Sequence, residues 1–149
     1  MILCATAFHW FDYPRATAEF FRLLAPSGSL ALVWNVRDER VPWVAKFGAV
    51  LDDYADDAPR QASGAWRRIF DDDRFVHTGS FSYPFVQLSA PSGIVDRGLS
   101  TSYIAALPDA EQEAVRRRFQ RIIDEEPALA GRETVAFPYV TQLYRFRRS

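Results

Sequence analysis

The sequence has 149 residues, of which 48% are hydrophobic, with four Trp, twelve Phe and six Tyr; this suits one globular, soluble domain (1–149) with a sizeable core. Eighteen basic side chains against nineteen acidic leave a net charge of −1, which excludes the one-signed field that draws nucleic acid or an anionic membrane. A lone cysteine, Cys4, excludes an internal disulfide framework and points to a reducing, cytoplasmic setting.

The opening run, MILCATAFHWFD, is short, apolar and cut off by polar and aromatic residues, and the pattern predicts a strand over 2–7. It carries no basic residues ahead of it and is too short to cross a bilayer, so neither a signal peptide nor a membrane anchor is expected. Asp12 and Pro14 then read as a cap and a helix-opening proline. Ala16, Phe20, Leu23 and Leu24 recur at helical spacing, and Pro26-Ser27-Gly28 closes that helix with turn chemistry. A second strand follows at 30–34, apolar on both faces as a covered parallel strand should be. The charged stretch 36–41 reads as a loop at the carboxyl edge of the sheet.

Pro42 opens a helix whose seam is Val44, Phe47, Leu51 and Tyr54. Residues 56–63 are linker-like, and a short helix with Trp66, Ile69 and Phe70 follows. From 75 to 88 the pattern alternates, with Phe81, Tyr83 and Phe85 on one face, and Pro84 assigns that strand to an edge or a bulge. Helical segments run from Pro91 through Leu107, with a break expected at Gly98, and from 108 to 126, with Ala114, Val115, Phe119, Ile122 and Ile123 inward. Val135, Phe137 and Tyr139 alternate in one phase, then Val140, Gln142, Tyr144 and Phe146 in the other, which predicts a bent terminal strand near Pro138.

The order Ala7-Phe8-His9-Trp10-Phe11-Asp12, Pro14-Arg15-Ala16, Leu24-Ala25-Pro26-Ser27-Gly28 and Leu30-Ala31-Leu32-Val33-Trp34-Asn35 resembles class I S-adenosylmethionine-dependent methyltransferases, specifically the type 11 group. The resemblance covers the C-terminal half of that family. It implies an α/β, partial Rossmann-like fold of parallel strands with a C-terminal antiparallel strand, the first three strands missing. It implies S-adenosylmethionine as cofactor, a small-molecule acceptor, and Thr6, Ala7, Phe8 and Trp10 beside the methyl donor. No G-x-G turn occurs in the chain, so the cofactor grip is expected to be incomplete and catalysis by this chain alone impaired.

Residues at the carboxyl ends of parallel strands are where ligands sit in open α/β sheets. There His9 is the catalytic candidate, since a titratable ring can relay a proton when the acceptor is a hydroxyl or amine. Phe11 and Asn35 are the substrate-binding candidates. Tyr83, Phe85, Tyr103 and Tyr139 are further aromatics suited to an acceptor cavity or to core packing. His77 has no ligand partners at metal spacing, so no metal site is expected. The arginine runs 116–118 and 145–148 read as solvated faces. With no earlier strand to flank it, the first strand becomes an apolar parallel edge, which predicts a homodimer or partner chain covering that edge, or a truncated gene product. The alternative to an enzyme is an interaction module that docks through the same edge.

Overall fold

The computed structural model describes residues 1–149. Its sheet has four strands, β1 (Ile2–Ala5), β2 (Ser29–Arg37), β3 (Phe75–Ser89) and β4 (Val135–Arg148), in the spatial order β1-β2-β4-β3. β1 and β2 are parallel, with Ile2 opposite Leu30 and Ala5 opposite Val33. A parallel pair cannot be joined by a tight turn, and here helix α1 (Tyr13–Leu23) makes the crossover. β4 runs the other way: Arg148 N–H donates to Gly28 O at 2.9 Å near the start of β2, and the Thr141 hydroxyl meets Asn35 near its end. It is also antiparallel to β3, because Ser149 N–H donates to Arg74 O and the Thr78 hydroxyl to Arg145 O. The expected α/β arrangement of parallel strands with a C-terminal antiparallel strand is therefore present.

The chain divides into two compact units. The first comprises Met1–Val36, Pro59–Tyr83 and Val140–Ser149. Its core gathers Cys4, Leu30, Leu32 and Trp34 from β1 and β2, Trp66 and Ile69 from a 3-10 segment (Ala65–Asp71), and Tyr144 and Phe146 from β4. Ala31 is buried as well, so β2 is covered on both faces, the reason its sequence is continuously apolar. The Asp12 carboxylate accepts from Arg15 N–H at 3.0 Å and caps α1, with Pro14 in the first turn. The face that α1 buries differs from expectation. Leu23 is 56% exposed, while Thr17 is fully buried. Thr17 is satisfied in place: its hydroxyl donates to Tyr13 O at 2.8 Å and accepts from Arg74 Nη2 at 2.7 Å. Arg74 also binds Asp72, which accepts from the Tyr13 hydroxyl at 2.9 Å. The Arg74 guanidinium holds the Asp72 carboxyl below its ordinary range, and burial with the neighbouring Asp72 pushes the Tyr13 phenol up.

The second unit comprises Arg37–Ala58 and Pro84–Tyr139. It holds α2 (Pro42–Asp52), α3 (Pro91–Leu99), α4 (Ser102–Ala105) and α5 (Asp109–Glu125). The predicted seam of α2 is its buried face, and Phe47 stacks on Phe119 of α5 with ring centroids 4.6 Å apart, while Phe137 meets it edge-on at 5.3 Å. The break after α3 falls at Ser100 and Thr101, not at Gly98. Gly98 is inside α3, where the Phe119 ring crosses so closely that a Cβ would lie 2.2 Å from it.

β4 changes phase as its alternation predicted: Val135, Phe137 and Tyr139 enter the core of the second unit, Tyr144 and Phe146 that of the first. β2 continues through Arg37, so the charged stretch begins as strand and becomes loop only beyond it. β3 is at an edge of the sheet, the place that Pro84 predicted.

A candidate active-site rim at the carboxyl ends of β1 and β2

β1 ends at Ala5, and the chain then turns sharply through Thr6, whose φ of +51° is in the left-handed region that a β-branched side chain disfavours. The turn is anchored by Thr6 N–H donating to Val33 O of β2 at 2.8 Å. One 3-10 turn, Phe8–Trp10, follows, with Trp10 N–H closing onto Ala7 O at 2.9 Å. Tethered at both ends, these residues present an ordered rim instead of a loose loop.

Alternation within the rim decides what each side chain does. Phe8 is buried and packs against Tyr13 and Phe20, with ring centroids at 5.9 and 6.0 Å. It supports the rim from beneath. Trp10 and Phe11 are exposed by 50% and 44%, so two aromatic faces are open to a ligand. His9 lies between, half-buried, with its ring 5.4 Å from that of Trp10.

The state of His9 follows from one hydrogen bond. Trp34 Nε1 donates to His9 Nδ1 at 3.1 Å. An indole N–H can only donate, so Nδ1 must offer its lone pair, and the neutral ring carries its proton on Nε2. Burial lowers the His9 pKa below its ordinary 6.5, which keeps that neutral form in place at physiological pH. The lone pair a general base would use is thus already engaged. Withdrawing it would strand the N–H of Trp34, a residue only 2% exposed. The ring nitrogen that His9 has left for a ligand, Nε2–H, is a donor.

Asn35, exposed near the end of β2, accepts the Thr141 hydroxyl on Oδ1 at 2.7 Å, which leaves its amide N–H groups as the outward donors. The structure therefore brings Thr6 to Phe11 and Trp34 together, while Asn35, next to Trp34 on a strand whose side chains alternate, leaves β2 on the other face and meets Thr141. Sequence reading missed Trp34. The signal was available: a tryptophan in an otherwise aliphatic central strand needs a partner for its N–H, and few are within reach. The aromatics expected to share an acceptor cavity do not behave alike, since Tyr83 and Phe85 are exposed by 58% and 43% and Tyr139 is buried.

Elsewhere, burial raises the Cys4 thiol pKa, which suits an inert core residue. His77 contacts Ser80 Oγ at 2.9 Å and the ring of Phe70. No group of three or more His, Cys, Asp or Glu side chains converges as a metal site would require. Arg116 and Arg117 pair with Glu113, and Arg118 with Asp53. No helix is long and apolar enough to cross a membrane.

No family profile matches the chain. It is 33% identical over 144 residues to an uncharacterised methyltransferase-like protein of Schizosaccharomyces pombe, a match spanning 97% of this chain and 56% of that one. An uncharacterised methyltransferase of Mycobacterium tuberculosis is 31% identical over 144 residues, with the same coverage. The chain belongs to the methyltransferase family. A crystal structure from Bacillus halodurans, solved as a candidate methyltransferase, superposes with a TM-score of 0.51 at 18% identity, covering 97% of this chain and 67% of that one, a likeness of fold. Among methyltransferases, then, this chain spans about half the length of the curated relatives it matches.

Proposed function

We propose that the protein carrying these residues is an S-adenosylmethionine-dependent methyltransferase acting on a small-molecule acceptor, with residues 1–149 forming part of a single catalytic domain. The observation that carries this reading is the ordered aromatic-histidine rim at the carboxyl ends of the parallel pair, in a chain of methyltransferase descent.

The residues fit the methylsulfonium end of the cofactor. Thr6, Ala7 and Trp10 would flank it, Phe8 supporting from below, and the half-exposed Trp10 face suits a sulfonium cation. They do not supply the rest of the grip, since no glycine-rich turn lies among these residues. Bound S-adenosylmethionine supplies a methyl group already activated for transfer. What remains for the protein is alignment and exclusion of water. Phe11 and the Asn35 amide would orient the acceptor, and His9 would hold an acceptor oxygen through Nε2–H instead of removing its proton. The buried free thiol of Cys4 is consistent with a reducing cytoplasm. β1 is an open edge with Leu3 60% exposed, which supports coverage by another strand from a second copy or a partner chain.

The test is transfer of labelled methyl from S-adenosylmethionine by a polypeptide containing these residues together with a glycine-rich cofactor-binding half. Absence of both donor binding and transfer there refutes the proposal. His9→Gln, which keeps a donor but cannot act as a base, should retain about a tenth or more of kcat; a loss of about 10²–10⁴-fold would instead assign His9 the base role. The 149-residue chain alone should bind the donor weakly by calorimetry.

A further inference from the structure

The second unit contains a cleft that the methyltransferase reading does not use. Arg37, Phe47, Leu51, Arg97, Ser100 and Thr101 line about 150 Å³ of space. Phe47 and Leu51 are buried core residues behind it, so the donors that the cleft offers a ligand are two guanidiniums. The Ser100 and Thr101 hydroxyls, at the junction of α3 and α4, both donate to Arg97 O, at 2.9 and 3.5 Å.

Both arginines retain hydrogen-bonding capacity. Arg97 extends over aromatic rings, its guanidinium carbon 4.8 Å from the Tyr139 centroid and 5.8 Å from that of Phe137, and a guanidinium has five donors, more than the Tyr139 hydroxyl can take up. Arg37 Nε is buried without a hydrogen-bond partner, since Glu39 Oε1 at 3.5 Å completes an ion pair but no hydrogen bond. The hydroxyl of Tyr139, a residue 2% exposed, has no partner at full hydrogen-bond geometry, and its nearest help is the Arg97 side chain together with the charges of Arg97 and Arg37. Buried polar groups rarely go unpaired, and one of these two, Arg37 Nε, belongs to a side chain that lines the cleft.

We propose that this cleft is a binding site for the carboxylate group of a small molecule, held between the Arg37 and Arg97 guanidiniums. Planar guanidinium forks match a planar carboxylate edge-on. Because Glu39 already offsets part of the Arg37 charge, the cleft carries a net charge near that of one cation, which favours a single carboxylate over a doubly charged phosphate. The site stands on these residues of the second unit alone, whether or not the rim in the first unit serves a methyl donor.

Amide NMR of the whole chain, titrated at constant ionic strength with acetate and separately with inorganic phosphate, tests it. Acetate should shift the Ser100 and Thr101 amides saturably, and Arg97→Met, which keeps the stem over Tyr139 but removes the charge, should weaken that binding about tenfold or more. If circular dichroism shows that variant unfolded, Arg37→Gln carries the same comparison. Absence of saturable shifts at Ser100 and Thr101, an affinity unchanged by the substitution, or saturation by phosphate but not by acetate overturns the proposal.

Discussion

Thr6 keeps its backbone at φ +51° without any side-chain hydrogen bond recorded for its hydroxyl, so the surrounding turn must impose the conformation. Glycine has no Cβ penalty there, and its extra chain entropy offsets only part of the relief. Thr6→Gly is therefore expected to stabilise the fold by about 0.5–1 kcal/mol, read as a higher urea midpoint with an unchanged slope. His9 offers a second prediction at this scale. Its pKa is lowered by burial, so the folded state prefers the neutral ring while the unfolded chain takes up its proton near pH 6.5. The unfolded state then binds more protons just below that pH, and stability falls. The contribution is fully present above pH 6.5 and is lost as pH drops through the lower folded value. Urea midpoints of the native chain should decline more steeply on acidification from about pH 7 to about pH 5.5 than those of His9→Gln. Imidazole nitrogen shifts should report the Nε2–H tautomer, and Trp34→Phe should release it. Equal slopes, or an Nδ1–H ring in the native chain, would contradict the hydrogen-bond assignment.

The helices of the second unit show why two buried glycines in similar settings should respond in opposite directions. A Cβ at Gly98 in α3 would fall 2.2 Å from the Phe119 ring, which is itself stacked on Phe47 and has nowhere to go. A Cβ at Gly48 in α2 would meet the Glu39 carboxylate at 2.4 Å, the far end of a flexible side chain that can swing into solvent. Gly98→Ala should cost about 1–3 kcal/mol, whereas Gly48→Ala should gain about 0.5–1 kcal/mol from helix propensity, both by thermal or urea denaturation. Sequence reading had assigned Gly98 to a helix break, because a glycine between two apolar stretches has the same local signature whether it ends a helix or admits a neighbouring ring. Elements with strong periodicity were legible: α2 by its seam, β2 by its continuous apolar run, α1 by Asp12 and Pro14, and the inversion in β4 by its two phases of alternation. What stayed hidden depended on partners distant in the chain. Thr17 is buried because Arg74 reaches it from 57 residues away, and no stripe of hydrophobic residues announces that. The rim was legible as a place, from the strand ends. The state of His9 was not, because it is set by an indole 25 residues further on.

At the scale of the whole molecule, the chain divides its apolar material between two cores, each built around aromatics. Trp34 and Trp66 lie 4.6 Å apart in the first, Trp43 packs edge-on to Phe137 at 5.0 Å in the second, and only Trp10 of the four is open to solvent. The tryptophans are thus separate reporters, and fluorescence can follow one core without the other. Domains of this size are stable by only about 5–15 kcal/mol, so a single large cavity consumes much of the margin. Phe119 is fully buried, stacks on Phe47 and closes over Gly98. Phe119→Ala should therefore cost about 3–5 kcal/mol. With Trp34 and Trp66 replaced by Phe, the remaining buried emission is that of Trp43, and in this background Phe119→Ala should bring its red shift to a markedly lower urea concentration. An unmoved Trp43 transition would mean that the second unit does not depend on the aromatic stack that the structure puts at its centre.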